Sequence, residues 1–207
     1  VIARPFLGDD SGTFFRTKNR KDYTFPPPNK TLCDLVIENN RSCHAIGKIA
    51  DIFSNRGIST SVSGLSDDVL FYKMIDVIKK AKNGDLIFAN FVEFDSLYGH
   101  RRDVAGYASA LERFDLKLVK LLEIINPNDF LIITADHGND PTFKGTDHTR
   151  EKVPVLMVGN YAQKGNNGNI VFSDVGATMA AFLNLSGKLK GTNIFNDNNE
   201  LEKKCKT

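Results

Sequence analysis

Apolar positions fall at two spacings along this chain, and the spacings alternate. Short apolar runs at residues 86–92 and 130–135 read as buried strands, residues 153–158 as another strand, and Ser42-Cys43-His44-Ala45-Ile46-Gly47 suggests one more. Helical spacing fills the intervals. In residues 30–40, Leu32, Leu35 and Val36 share a face, with Thr31 as the start. Residues 48–56 predict a short helix ended by Gly57. Ser66-Asp67-Asp68 predicts the cap of a helix through residue 82, with Leu70, Met74, Val77, Ile78 and Ala81 facing inward. Lys79, Lys80 and Lys82 suit its carboxyl end, and Asn83-Gly84 stops it. Apolar residues at 104, 105, 108, 111, 118, 121, 122 and 125 predict a long amphipathic helix over 101–125, halted by Asn126-Pro127. Ser173-Asp174 predicts the cap of a last helix through Leu183, whose Gly176, Ala177, Ala180 and Ala181 suit close packing on a sheet. Strand alternating with helix makes this an α/β sandwich.

Residues 1–29 break the alternation. A short strand-like run leads into loop, Asp9-Asp10-Ser11-Gly12 is turn chemistry, and Pro26-Pro27-Pro28 reads as a linker or boundary. The chain therefore divides into an opening segment (1–29), an α/β core (30–195) and a flexible Lys-rich tail (196–207).

Composition changes little. The 207 residues, 41% hydrophobic and 25% charged, suffice for a real core. A net charge of +2 and the lack of any membrane-length apolar run argue against nucleic-acid and membrane partners. Three cysteines (Cys33, Cys43, Cys205) without metal spacing read as reduced thiols of a cytoplasmic protein. The start, Val1-Ile2-Ala3, is no signal peptide and lacks an initiator Met, which reads as a fragment.

Two strand exits carry the candidate chemistry. After Phe130-Leu131-Ile132-Ile133 come Asp136 and His137, with His148 eleven residues beyond His137. Taken alone, Asp136-His137-Gly138 is equally a turn whose Asp caps a backbone amide. A second exit, after residues 86–92, repeats the arrangement with Asp95 and His100. Three of the four histidines thus sit in these clusters, and such mixed carboxylate and imidazole donors suit manganese, zinc or iron. Two ions sharing them would clamp the attacking and leaving oxygens of a phosphoryl transfer. His44 reads as a packed or hydrogen-bonded residue instead. Arg16 and Arg20 can hold a phosphate by paired hydrogen bonds, or form a solvated basic loop.

Thr134-Ala135-Asp136-His137-Gly138-Asn139 resembles the alkaline phosphatase superfamily. The run from Phe94-Asp95 through Tyr98-Gly99-His100-Arg101-Arg102-Asp103 to Tyr107, and Gly145-Thr146-Asp147-His148-Thr149-Arg150-Glu151, narrow the resemblance to the phosphopentomutases. Val1-Ile2-Ala3-Arg4-Pro5-Phe6, Arg16-Thr17, Asn19-Arg20 and Asp22-Tyr23 fit the same family, so the likeness runs from residue 1 to about Phe195.

That resemblance implies a three-layer α/β/α sandwich of the alkaline phosphatase type, here a partial core with a remnant of an inserted cap domain at 1–29. It implies two Mn2+ ions, one held by Asp95, His100 and His148, the other by Asp136 and His137 in a site incomplete in this chain. Affinity would fall in acid, because every donor must be deprotonated. It places Ile2, Arg16 and, more weakly, Arg20 at the substrate. The implied activity interconverts ribose or deoxyribose 1-phosphate and 5-phosphate through a phosphothreonine, a step of nucleoside catabolism. The nucleophilic threonine, a further metal-ligand aspartate and most of the cap belong to an amino-terminal part without a match here. The chain is thus expected to be the carboxy-terminal portion, inactive alone, with the missing part as its partner. The rival readings are a phosphoglycerate mutase or phosphohydrolase of the same superfamily and a non-catalytic metal-binding module.

Overall fold

The opening segment is more regular than its sequence suggested. The computed structural model describes residues 1–17, 19 and 21–195. Ile2–Ala3 (β1), Phe6–Leu7 (β2), Phe15–Arg16 (β3) and Lys21–Asp22 (β4) form two antiparallel ladders, β1 with β4 and β2 with β3. Strands of two residues carry no readable period, hence the expected loop. The turn at the tip is the predicted one: the Asp10 carboxylate accepts the N–H groups of Gly12 (2.8 Å) and Thr13 (3.0 Å).

Leu32–Glu38 (α1) starts where its cap predicted. The Thr31 hydroxyl accepts the Asp34 N–H at 3.4 Å, and the Asp34 carboxylate accepts the Thr31 N–H at 2.7 Å, a reciprocal capping box. Arg56 grips the same carboxylate through Nε (2.8 Å) and Nη2 (3.0 Å) and ties it to the Pro27 carbonyl (2.6 Å). Burial pushes the Asp34 carboxyl up, but Arg56 and the Thr31 N–H outweigh it and hold it below the usual carboxylate range. A depressed pKa stabilises the fold above the unfolded value, near 3.9, and that contribution disappears as pH falls through the lower folded value. Asp34→Asn is therefore expected to cost about 1–3 kcal/mol at neutral pH. In thermal melts from pH 7 to pH 3 the gap between the two proteins should narrow once the pH passes below the unfolded value; a constant gap would refute the assignment.

The core elements follow as Cys43–Ile46 (β5), Ile49–Ile52 (α2), Thr60–Val62 (β6), Asp67–Ile78 (α3), Leu86–Ala89 (β7), a π-helical turn Phe94–Gly99, Val104–Ile124 (α4), Leu131–Thr134 (β8), Val155–Val158 (β9) and Phe172–Phe182 (α5). Several differ from expectation. α3 stops at Ile78 rather than residue 82, because the N–H groups of Lys80 and Ala81 both turn back on the Val77 carbonyl and Asp85 takes the Lys82 N–H. β7 ends at Ala89, not residue 92. α5 begins two residues earlier than predicted: Asp174 accepts the N–H of Val171, the cap residue, at 3.0 Å, and Ser173 lies inside the helix. Gly176 faces open space and Ala181 is exposed, so that face does not pack closely.

β5 lies between β6 and β7 in a parallel sheet, and helices cover both its faces. Period-2 alternation sorts them. Cys43 and Leu86 point to α1 and α5, packing with Cys33, Val36 and Leu183. Ile46 and Ile87 point the other way, to Leu70, Phe71 and Met74 of α3 and Leu121 of α4. That is a three-layer α/β/α arrangement. β8 and β9 pair antiparallel with each other, apart from the parallel sheet. Cys33 and Cys43 are free, buried thiols; a hydrogen bond to Cys33 and burial push the Cys43 thiol up, so it stays neutral. Cys205 lies outside the described residues, as does the tail 196–207. His44 is hydrogen-bonded to Thr60 Oγ1 (2.7 Å) and Asp85 Oδ2 (3.3 Å), as its reading required. Among the described residues no helix is long and apolar enough to cross a membrane.

Candidate metal centre

Asp67, the first residue of α3, shapes the first strand exit. Its carboxylate accepts the N–H groups of Val92 (3.0 Å) and Glu93 (2.8 Å) and bends the chain out of β7 into the π-helical turn. Burial pushes the Asp67 carboxyl up in spite of those two donors. The width of the turn matters. In an α-helix positions 95 and 100 would stand about 140° apart. Here the His100 N–H closes on the Asp95 carbonyl at 3.0 Å, an i to i+5 bond that brings both side chains to one side.

The second exit folds back on itself. The Thr149 N–H bonds the Gly138 carbonyl (3.0 Å), and the Asp140 N–H bonds Thr149 Oγ1 (2.6 Å). Gly138 is required there, since a Cβ would run into the Glu151 carboxylate and backbone. This bridge sets His148 against His137, whose rings stack at 3.7 Å between centroids, 20° apart.

The two exits converge. Asp95 Oδ2 lies 3.2 Å from His100 Nε2, Asp95 Oδ1 lies 3.2 Å from His148 Nε2, and the two Nε2 atoms are 3.2 Å apart. Ligand atoms of Asp95, His137 and His148 all fall within 4.8 Å of one another. Asp136, 71% exposed, sits at the rim with Oδ1 3.6 Å from His137 Nε2. Ile2 and Arg16 lie instead on the opening arm, whose strands pair only with one another, and Arg20 is outside the described residues.

The donor set fits a metal ion. Donors held about 2.1 Å from a common ion at tetrahedral or octahedral angles stand about 3.0–3.4 Å apart, which is the spacing of the Asp95, His100 and His148 atoms. Tautomers agree. His100 Nδ1 faces the Thr146 carbonyl at 2.5 Å and His137 Nδ1 faces the Gly138 carbonyl at 3.2 Å. A carbonyl only accepts, so each Nδ1 carries a proton, and the neutral ring a metal requires then has its lone pair on Nε2. The family description of the metalloenzyme superfamily matches residues 38–187, a span that holds all five candidate ligands.

This chain belongs to the metalloenzyme superfamily. It is 51% identical over 186 residues to the phosphopentomutase of Sinorhizobium medicae, covering 89% of this chain and 46% of that protein. The phosphopentomutase of Legionella pneumophila (strain Corby) is 51% identical over 190 residues, with 91% and 46% covered. That of Chelativorans sp. is 49% identical over 197 residues, with 95% and 48% covered. The chain thus spans about half the length of the curated relatives it matches.

Two residues around this candidate centre had no role in the sequence reading. Arg102 and Asn139 sit inside the motifs, yet an Arg101-Arg102 pair looks like a solvated basic face and an Asn after Gly looks like a turn. The nearest sequence signal was Gly99, where a Cβ would strike the Asn139 amide. Asp95 also acts at a distance: burial and its charge together push the Tyr107 hydroxyl up.

Proposed function

We propose that this chain is the carboxy-terminal, metal-binding portion of a phosphopentomutase that interconverts ribose or deoxyribose 1-phosphate and 5-phosphate. One observation supports this above the rest: Asp95, His100, His137 and His148 converge from two separate strand exits in a chain half identical to proteins of that name. Asp95, His100 and His148 hold one manganese ion. Asp136 and His137 hold a second, together with a ligand outside this chain. The ions, when bound, supply positive charge to the oxygens of the transferring phosphoryl group. The protein's own part is to fix tautomers and loops. Thr146 and Gly138 carbonyls keep His100 and His137 presenting Nε2. Ile2, Arg16 and Arg20 on the opening arm meet the sugar phosphate, whose charge suits guanidinium groups. The arm at 1–29 is the last piece of a cap domain, and residues 30–195 belong to the catalytic core.

The threonine that carries the phosphoryl group belongs to the half of the relatives that this chain does not span. Apolar surface supports a covering partner of that kind. Val104, Leu111, Val119 and Leu122 of α4 are exposed, although sequence spacing gave α4 an apolar stripe to bury. An open cleft of about 1070 Å³ runs along β9 past Leu156, Val158, Val171 and Phe172, away from the metal residues. The two free buried thiols suit a cytoplasmic location.

The test uses the full-length gene product loaded with Mn2+. Ribose 1-phosphate should convert to ribose 5-phosphate while 3-phosphoglycerate is untouched, and Asp95→Ala should lower the rate about 10²- to 10³-fold or more. The 207-residue chain alone should convert neither. Turnover of phosphoglycerate would overturn the substrate class, and conversion by the short chain would overturn the missing nucleophile.

A further inference from the structure

Among the described residues, five non-glycine residues have a left-handed backbone, and four of them are Asn or Ser. The fifth is Arg102, at φ 55°. Asn tolerates this region through its short polar side chain; a long side chain rarely enters it. Something must hold Arg102 there, and its guanidinium accounts for it. Nη1 donates to the Gly99 carbonyl (3.1 Å), Asn139 Oδ1 (2.7 Å) and the Asp140 carbonyl (2.9 Å). Nη2 donates to the Asp147 carbonyl at 2.6 Å, and Nε donates to the Gly145 carbonyl. None of these acceptors is a carboxylate, so the interaction is not an ion pair but a clamp. The acceptors belong to three segments: the π-helical turn with Asp95 and His100, the strand exit with His137, and the loop leading into His148.

Asn139 extends the clamp to a ligand. It is 8% exposed, and its Nδ2 donates to Asp95 Oδ1 at 2.6 Å. A side-chain amide can point either way, but a guanidinium only donates. Arg102 therefore fixes the amide oxygen towards itself and leaves the NH2 no direction but Asp95. The bond sets the carboxylate so that Oδ2 faces His100 and Oδ1 faces His148. Gly99 leaves the space the amide occupies. We infer that Arg102 and Asn139 are positioning residues of the metal centre, Arg102 locking the His148 loop and, through the Asn139 amide, the orientation of the Asp95 carboxylate. This rests on the reading of the cluster as a metal site.

The experiment titrates the 207-residue chain with Mn2+ by calorimetry and records the visible absorption of the Co2+-loaded form. Arg102→Ala and Asn139→Ala are each expected to weaken Mn2+ binding about 10- to 100-fold and to alter the Co2+ spectrum. The double variant should bind about as Arg102→Ala does, because Asn139 acts under the control of Arg102. Free guanidinium ion at a non-denaturing concentration should restore part of the affinity of Arg102→Ala and none of that of Asn139→Ala. Arg102→Lys should not rescue, since a compact ammonium cannot reach three segments at once. Circular dichroism establishes that each variant is folded; if Arg102→Ala is not, Asn139→Ala and its Co2+ spectrum decide alone. Wild-type affinity with an unchanged spectrum, or effects that multiply in the double variant, would overturn the inference. A wild-type chain that binds no divalent ion sinks the metal-site reading itself, and this inference with it.

Discussion

Replacing His148 with alanine is expected to cut the affinity of the 207-residue chain for Mn2+ by more than about 100-fold. Outer partners of metal ligands are worth roughly 10- to 100-fold, and a direct donor should exceed them. His148 is the candidate donor on which the site would close. Its Nε2 lies 3.2 Å from both Asp95 Oδ1 and His100 Nε2, and it belongs to a different strand exit from either. Without it the first exit keeps two donors and the second loses the ring on which His137 stacks. His44→Ala is the control. That imidazole faces Thr60 and Asp85, so its loss should leave metal content unchanged. Metal analysis after dialysis, beside calorimetric titration, reads both outcomes. Equal metal content in wild type and His148→Ala would count against the assignment.

Phe71→Ala should produce the largest loss of stability of any single truncation in the core, about 3–5 kcal/mol. A domain of ordinary stability holds about 5–15 kcal/mol in total, so the change consumes a large share. Phe71 is 1% exposed and heads the largest fully buried side chains. Its ring meets Phe91 at 6.3 Å and Phe114 of α4 at 6.4 Å, and Phe114 meets Phe94 of the π-helical turn at 5.7 Å. The aromatic chain thus runs from α3 to the residue beside Asp95. Thermal melting should fall by about 10 °C or more. Leu116→Ala, at a position 70% exposed, should stay within about 0.5 kcal/mol of wild type. Equal melting temperatures for the two variants would show that α3 is not the keystone of this layer.

Phe71 also shows where periodicity stops being informative. The sequence put Leu70, Met74, Val77, Ile78 and Ala81 on the inward face of α3 and passed over Phe71, one residue from Leu70 and about 100° round the helix. A single stripe describes a helix with one buried face. α3 is covered on two sides, by β5 and β7 and by α4, so its buried arc is wider. α4 errs in the opposite direction. Of the expected apolar set, Leu118 and Leu121 meet the core but Val104, Leu111 and Leu122 are exposed, while Ala110 and Phe114, outside that set, are turned inward. Two apolar stripes on one helix look like one from the sequence; only the neighbours tell which is used.

The site divides in the same way. Asp95, His100, Asp136, His137 and His148 could be named as candidates because residue type and clustering at strand exits are local properties. Arg102 and Asn139 could not, because their partners lie about forty residues away in sequence and their types are common on surfaces.

By itself the sequence determined the strands of the core except β6, its long helices, the caps at Thr31 and Ser66, and the donors available to a metal, since each depends on neighbours a few residues apart; the two-residue strands of the opening segment were not legible. The tertiary structure alone decided that β8 and β9 stand apart from the parallel sheet, that a π turn carries Asp95 and His100 to one side, and that one guanidinium binds three loops into a single centre. The reason is physical. Local spacing sets backbone propensity, whereas the distance between two donors is set by everything packed between them.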